Sequence, residues 1–422
     1  MSLYSFVKSI NMLIFVLFSV FYLYQIFYTL VSLVFKSREF PAGKLHKYAV
    51  LIAARNESPV IGKLIESIKK QNYPSELVDI YVIADNCTDD TADVAERAGA
   101  RVFRRFDDEL IGKGYALNYA FSGIRETHGI KHYDGYFVFD ADNLLDENFI
   151  SEMNKVFAAG YRVVTSYRNS KNYDTNWISA GSSLWFLREA KYLNNARMIL
   201  GTSCMISGTG FLVHSDIIER NSGWNYYLLT EDIEFSIDNV IKGEVIGYCP
   251  NAKLYDEQPY FFEQSWNQRL RWAKGFYQVF MKYGMKLFKT MLKRRSFSCY
   301  DIFMTVTPAM FITLLGVFIN TVFLVIGFLN VDILPHLVVH TISAIITSII
   351  NFYIVLFFFG LITTVTEWHE INAKPYKKIL YVFSFPVFIF TYVPISVVAL
   401  FRRIQWKPIT HSIVKSIEEF QR

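Results

Sequence analysis

Two aspartates one residue apart, Asp140-Ala141-Asp142, follow the apolar run Tyr136–Phe139. Alternate residues of an extended segment point the same way, so both carboxylates can reach one ion. Hard oxygen ligands suit Mg²⁺ or Mn²⁺, which such sites hold through one or two carboxylates plus substrate phosphates. A solvated turn would carry the same tripeptide. Asp85 opens a second polar cluster, Asp85-Asn86-Cys87-Thr88-Asp89-Asp90, in which Asp85 can meet a ligand while Thr88 or Asp89 caps a helix. Thr230-Glu231-Asp232 lies just beyond Trp224-Asn225-Tyr226-Tyr227. An acidic pair beside aromatics suits a general base near a platform on which a sugar ring stacks. A helix start capped by Thr230 fits the same residues. In Gln268-Arg269-Leu270-Arg271-Trp272, residues Gln268, Arg271 and Trp272 are three and four apart and share one helix face. That face can hold a diphosphate and a sugar, or anchor the chain at a membrane surface.

The elements that must position these groups alternate. Tyr48–Ala54 and Ile80–Ala84 are continuous apolar runs of strand length, as buried parallel strands require. Arg101–Phe103 and Tyr136–Phe139 read as further strands. Between them, helices are expected with Ile61, Leu64, Ile65 and Ile68 on one face, over Asp89–Ala98, and over Gly114–Ile124. A βαβα order implies a parallel sheet covered on both faces, with ligands beyond the carboxyl ends of the strands. Asp85 and Asp140 stand at such ends.

The rest of the chain is apolar. Of 422 residues, 52% are apolar, 17% aromatic and only 19% charged, against roughly 25% charged in ordinary soluble domains. Disorder, coiled coils and disulfide frameworks are excluded. The four Cys form no CxxC pair, and a net charge of +5 gives no reason to expect a nucleic-acid partner. Uncharged stretches between Lys8 and Lys36 and over 302–331, 333–366 and 379–401 are long enough to enter a bilayer. Basic residues Lys36, Arg38, Lys44 and Lys47 after the first stretch, and Lys282–Arg295 before the second, place the intervening block in the cytoplasm beneath the plasma membrane. Pro386 and Pro394 interrupt the last stretch, while Arg402, Arg403, Lys407 and Lys415 follow it. It reads as a kinked, re-entrant or interfacial segment with a cytoplasmic tail, the alternative being a fourth full span. Over Arg269–Arg295, Phe276, Val279, Phe280, Tyr283, Leu287 and Met291 repeat at helical spacing opposite Lys282, Lys286, Lys289 and Lys293. This predicts an interfacial helix with its aromatic face in the membrane, or a core-facing helix with a solvated lysine face. The expected organisation is a membrane helix over 1–36, a cytoplasmic domain over 37–265, interfacial helices over 266–300, a membrane region over 301–401 and a basic tail over 402–422.

In order along the chain, Asp85, Asp140–Asp142, Thr230-Glu231-Asp232 and Gln268–Trp272 match the D, DxD, TED and QxxRW signature. The chain thereby resembles the processive membrane family-2 glycosyltransferases, which make cellulose, hyaluronan, chitin and poly-N-acetylglucosamine. Ala54-Arg55-Asn56-Glu57, Gly112-Lys113-Gly114 and Ser207-Gly208-Thr209-Gly210 also look like elements of that family. The resemblance implies an α/β GT-A type nucleotide-sugar-binding domain inserted between transmembrane helices. It further implies inverting transfer from a nucleoside-diphosphate sugar, usually UDP-linked, onto a growing polysaccharide. By similarity, Ala53, Arg55, Glu57, Asp85, Lys113 and Arg271 would serve the donor nucleotide and diphosphate. Asp140 and Asp142 would hold Mg²⁺ or Mn²⁺ on that diphosphate, and Asp232 would be the general base. Glu231, Trp224, Gln268, Trp272, Ser207 and Gly208 would line the acceptor.

UDP-glucose and a β-glucan with 1,4 and 1,3 linkages are the favoured donor and product. A poly-N-acetylglucosamine or hyaluronan-like synthase, or a non-processive transferase using a lipid acceptor, are the alternatives. Control by cyclic dinucleotides of the cellulose-synthase type is not expected. The segment Gln405-Trp406-Lys407-Pro408 loosely resembles the Trp-containing gating loop of hyaluronan and chitin synthases without matching its pattern. Accessory subunits and oligomeric state stay open.

Overall fold

A computed structural model describes residues 3–404, 411–414 and 416–421. Lys407, Lys415 and the Gln405–Pro408 segment lie outside the described residues.

Among the described residues, eight strands form one sheet: β1 (Tyr48–Ala54), β2 (Val78–Asp85), β3 (Arg101–Arg105), β4 (Gly135–Asp140), β5 (Leu144–Leu145), β6 (Val163–Ser170), β7 (Phe211–His214) and β8 (Ile246–Asp256). Their order is β3-β2-β1-β4-β7-β6-β8-β5. The apolar runs of β1, β2 and β4 are buried, as continuous hydrophobic strands must be when helices cover both faces. Helix Ile61–Lys69 buries Ile61, Leu64, Ile65 and Ile68 against them, the face its spacing predicted.

The sheet departs from the expected parallel arrangement in its second half. β7 runs antiparallel to both β4 and β6, and β5 antiparallel to β8, while β6 and β8 pair in parallel. The reversal restores direction: β2, β4, β6 and β8 all end at one edge. Register aligns the ends, with Asp85 opposite Arg105 and Ala53 opposite Asp140. A one-residue slip would turn these side chains to the other face.

Among the described residues, four helical stretches are long and apolar enough to cross a membrane: Ser5–Val34, Phe297–Leu329, Leu337–Thr366 and Pro375–Phe401. The second is broken at Thr307 and the fourth at Thr391, beyond Pro386. Lys377 near the start of the fourth stretch donates to the Asp174 carbonyl at 2.6 Å. After that stretch, Ser412 N–H and Ile413 N–H donate to the Glu257 carboxylate at 3.0 and 2.8 Å. Both flanks of Pro375–Phe401 therefore touch the α/β domain.

The helix Phe262–Arg294 corrects one expectation. Most of its predicted membrane face packs on the α/β core instead, with Val279 and Leu287 buried and Phe276, Tyr283 and Met291 against the same cluster, while Phe280 meets Phe311 of the second apolar stretch at 4.9 Å. Lys282 meets the buried Glu234 at 2.5 Å. A different stripe of the helix, Met281, Met285, Phe288 and Leu292, is exposed. Helical spacing identified the apolar face; only packing shows that a second apolar stripe remains open.

Candidate active site

The loops beyond the aligned strand ends close around a cavity of about 1200 Å³ that continues between the membrane helices. Ala53, Arg55, Glu57, Asp85, Lys113, Asp140, Asp142, Ser207, Gly208, Glu231, Asp232, Gln268, Arg271 and Trp272 all line it.

Lys113 opens helix Lys113–Thr127 after Gly112, whose φ of 138° suits glycine alone. Gly114 allows the close approach of residue 226, because a Cβ there would meet the Tyr226 carbonyl at 2.0 Å. The Lys113 ammonium donates to Asp140 Oδ1 at 2.5 Å and to the Gly208 carbonyl at 2.8 Å. Burial opposes its charge, but Asp140 and Glu231 hold the ammonium above its ordinary range. Gly208 works from both sides: its N–H donates to Asp232 Oδ2 at 2.7 Å. The Ser207–Gly210 loop thus links Asp140, through Lys113, to the acidic pair, with positive φ at Gly208 and Gly210.

Asp142 is buried. Its Oδ2 accepts from Glu257 N–H at 2.8 Å and lies 3.9 Å from His411 Nε2. Burial would raise the carboxyl, yet His411 and Lys171 outweigh it and hold Asp142 below the usual range. His411 in turn bonds Glu57 through Nδ1 at 2.9 Å. Despite its burial, Asp142 and Glu57 push the imidazole up to about 10. Burial raises Glu57, and His411 offsets part of this. Asp85 accepts from Arg105 Nη1 at 2.5 Å, and burial raises its carboxyl.

Asp140 and Asp142 thus set two hard oxygen donors on one wall. Among the described residues no group of three or more His, Cys, Asp or Glu side chains is arranged to hold an ion. That donor set fits Mg²⁺ or Mn²⁺ completing its coordination on a substrate diphosphate.

Glu231 and Asp232 form the first turn of helix Glu231–Lys242. Burial, then the neighbouring Asp232 charge, pushes Glu231 up to about 7, and burial also raises Asp232. Thr230 stands at the N-cap of this helix, but its side chain makes no capping hydrogen bond. Its hydroxyl finds no partner among the described residues and packs on Gly275, where a Cβ would come within 2.5 Å of Thr230 Cγ2. In the earlier acidic cluster, by contrast, Asp89 does act locally, accepting from Thr91 N–H at 3.1 Å. Burial lowers the Arg271 guanidinium pKa, with Glu231 and Asp140 opposing. Arg269, between these groups, turns away to the Phe388 carbonyl at 3.2 Å and to Thr391, fixing the helix to the last membrane segment.

Trp224 is the expectation that fails. Its indole is fully buried and stacks on Phe235 at 4.7 Å, so it offers no surface to a sugar. Near the acidic pair, an aromatic ring that does reach the cavity is Tyr227, stacked on Tyr115 at 4.4 Å. Sequence reasoning also missed Arg168, Asp256, Glu257 and His411, all on the cavity wall. Asp256 ends β8 as Asp85 ends β2 and Asp140 ends β4, so the strand-end rule would have found it. Arg168, a charge inside β6 that pairs with Asp256, carried a similar signal. His411 carried none, since only the tertiary fold brings it to Glu57.

The family described as "Glycosyltransferase like family 2" matches residues 46–275, over half the chain. A probable glycosyltransferase, YdaM, of Bacillus subtilis is 28% identical over 284 residues, 62% of this chain and 63% of that protein. The β-monoglucosyldiacylglycerol synthase of Synechocystis is 26% identical over 240 residues, 56% of this chain and 48% of its own length. A poly-β-1,6-N-acetyl-D-glucosamine synthase of Staphylococcus aureus is 25% identical over 264 residues, covering 62% and 61%. The chain thus spans between about half and just under two thirds of these relatives. In fold, it is similar to the Pyrobaculum calidifontis mannosyltransferase PcManGT, solved with GDP-mannose and Mn²⁺. That likeness has a TM-score of 0.54 at 14% identity and covers 94% of this chain and 99% of the other. The sheet, the cavity beyond its strand ends and the match over 46–275 lead to one conclusion: this chain belongs to glycosyltransferase family 2, with a GT-A-like domain between apolar helices.

Proposed function

We propose that the protein is an inverting, UDP-sugar-dependent transferase of the plasma membrane that extends a β-linked glycan from the cytoplasmic side. The observation that carries this is the continuity of one cavity, from Asp140 and Asp232 past Gln268, Arg271 and Trp272 to residues such as Phe18, Asn320 and Phe352 of the membrane helices. An acceptor terminus held at Trp272 has its body already directed into the bilayer. UDP-glucose is the favoured donor, and a β-glucan with 1,4 and 1,3 linkages the favoured product.

Asp232 accepts the proton of the acceptor hydroxyl. The freed oxygen attacks the anomeric carbon as its bond to the diphosphate breaks, and UDP leaves with that electron pair. No enzyme nucleophile is required, so one displacement inverts the centre. Gly208 N–H orients the base, and Lys113 positions Asp140. Arg271 supplies fixed positive charge toward the diphosphate. Asp140 and Asp142 would hold Mg²⁺ or Mn²⁺, which offsets charge on the leaving diphosphate.

A second reading, transfer of one sugar to a lipid, is favoured by the apolar wall of the membrane limb, including Phe15, Phe18, Ile312, Leu324, Ile349 and Phe352. Supplying purified protein with UDP-glucose, UDP-N-acetylglucosamine or UDP-glucuronate, then sizing and digesting the product with linkage-specific hydrolases, tests both. A polymer from UDP-glucose supports the first reading. A lipid bearing one or two sugars overturns it for the second, and incorporation only from another donor changes the sugar. For orientation, the exposed Met281–Leu292 stripe would rest on the inner leaflet. Labelling of a cysteine at position 412 by an impermeant reagent in intact cells would refute a cytoplasmic tail.

A further inference from the structure

Two arginines, Arg188 and Arg197, are buried on the cavity wall where the α/β domain meets the membrane helices. They are treated differently by their surroundings. Arg197 is satisfied: its Nε and Nη2 donate to the Asp301 carboxylate at 2.7 and 2.9 Å, and its Nη1 to Asn194 at 3.1 Å. Arg188 closes helix Trp177–Arg188, just before a π-helical turn over Glu189–Asn194. Such turns recur at functional sites. Among the described residues, its hydrogen bond is from Nη2 to Gln25 Oε1 at 2.6 Å, and no carboxylate lies within 4.0 Å. A guanidinium has five N–H donors, and a buried charge without a counter-ion is costly. Burial accordingly pushes this arginine down to about 10, still charged at neutral pH, with Tyr24 and Glu189 opposing and Arg197 adding to the fall.

The neighbours define what can fill the gap. The guanidinium carbon lies 4.9 Å from the Phe359 ring centre and 5.7 Å from that of Trp185. Leu23, Ile26, Val355 and Leu356 line the same limb. Gln25 and Phe359 belong to candidate membrane spans. An anion fitting here arrives on an apolar body. A neutral glycan would leave the charge unmatched, and the diphosphate of the donor has its own cations, Lys113 and Arg271, at the catalytic end.

We propose that the membrane limb of the cavity binds a phospholipid whose phosphate pairs with Arg188, Gln25 helping to fix the guanidinium. This rests on the second reading above, in which a lipid acceptor or primer enters the active site through the membrane limb, and it names the class of that lipid. An acceptor or primer with a phosphate one headgroup away from its reactive hydroxyl would thereby be held with its apolar chains among the span helices.

The test uses full-length protein in a neutral detergent, freed of native lipid. Brominated phosphatidylglycerol and diacylglycerol with the same brominated chains are titrated in separately, with quenching of tryptophan fluorescence as the readout. Phosphatidylglycerol should bind about tenfold more tightly, the loss expected when one hydrogen-bonded charge partner is removed. Arg188→Gln should erase that preference, and Arg188→Lys should restore most of it. UDP binding on the same samples reports that the variants are folded. Equal affinity for the two lipids, or a preference that survives Arg188→Gln, overturns the proposal. Inorganic phosphate should not displace the lipid; stabilisation by phosphate alone that depends on Arg188 would assign the anion to a soluble source and overturn it too. Sugar transfer is assayed independently. Arg188-dependent lipid binding without any glycosylated lipid or primer would refute the entry route and leave the site standing.

Discussion

The cavity holds two acidic pairs of nearly the same composition, Asp140 with Asp142 and Glu231 with Asp232, in opposite electrostatic settings. Around Asp142, His411, Lys171 and the Glu257 N–H outweigh burial, so the carboxylate stays charged. Asp140 is paired with Lys113. Around Glu231 and Asp232 burial wins, and both carboxyls are pushed toward neutrality. On the proposed mechanism, the first pair would hold positive charge and the second would take up a proton. Residue type did not separate them; the neighbours supplied by other elements did, and such divergence assigns roles in acid–base sites.

The comparison breaks most sharply at Asp232. Asp232→Asn should lower kcat by about 10²–10⁴-fold while UDP binding persists, measured by turnover and calorimetry on the same protein. Substantial retained turnover would move the base elsewhere. At the other pair, Asp142→Asn should weaken Mn²⁺ binding in the presence of UDP by at least about 10–100-fold, read by electron paramagnetic resonance titration. Unchanged Mn²⁺ affinity would take the metal off this wall.

The pH profile sharpens the contrast. Asp232 must be ionised to act, and its raised pKa means that kcat/KM falls as pH drops, on a limb above the ordinary carboxylate range. Burial and then the Asp232 charge push Glu231 up to about 7, so Glu231 is the later of the two to ionise. Glu231→Gln should therefore remove any limb near neutral pH while leaving the Asp232 limb below it. Loss of the lower limb in Glu231→Gln would show that Glu231, and not Asp232, is the base. The smallest effect is expected at the rim. Tyr227→Ala should raise the acceptor KM by about 2–10-fold with kcat little changed, in line with one lost aromatic contact.

Much of this was legible in the residues. Continuous apolar runs required buried strands, and the acidic residues after them had to emerge at the carboxyl edge of the sheet. Spacing also put Gln268, Arg271 and Trp272 on one face, because helix geometry is local. Trp224 misled because a tryptophan beside an acidic helix start looks the same whether it faces a cavity or a core. Its stacking on Phe235 and Phe121 depends on how helices pack across the sheet.

What the chain determined alone were the quantities set by neighbours in sequence: strand and helix types, apolar stretches long enough for a bilayer, and the order of the four motifs. What only the tertiary structure decided were the quantities set by distant neighbours. The antiparallel β7 brings Asp256 to the same edge as Asp140, and the chain beyond the last membrane segment returns His411 to Glu57. Arg188 reaches the membrane limb with the Gln25 amide as its hydrogen-bond partner among the described residues. Charge state, pairing and exposure depend on groups hundreds of residues apart, and their electrostatic consequences exist only once folding has removed the water between them.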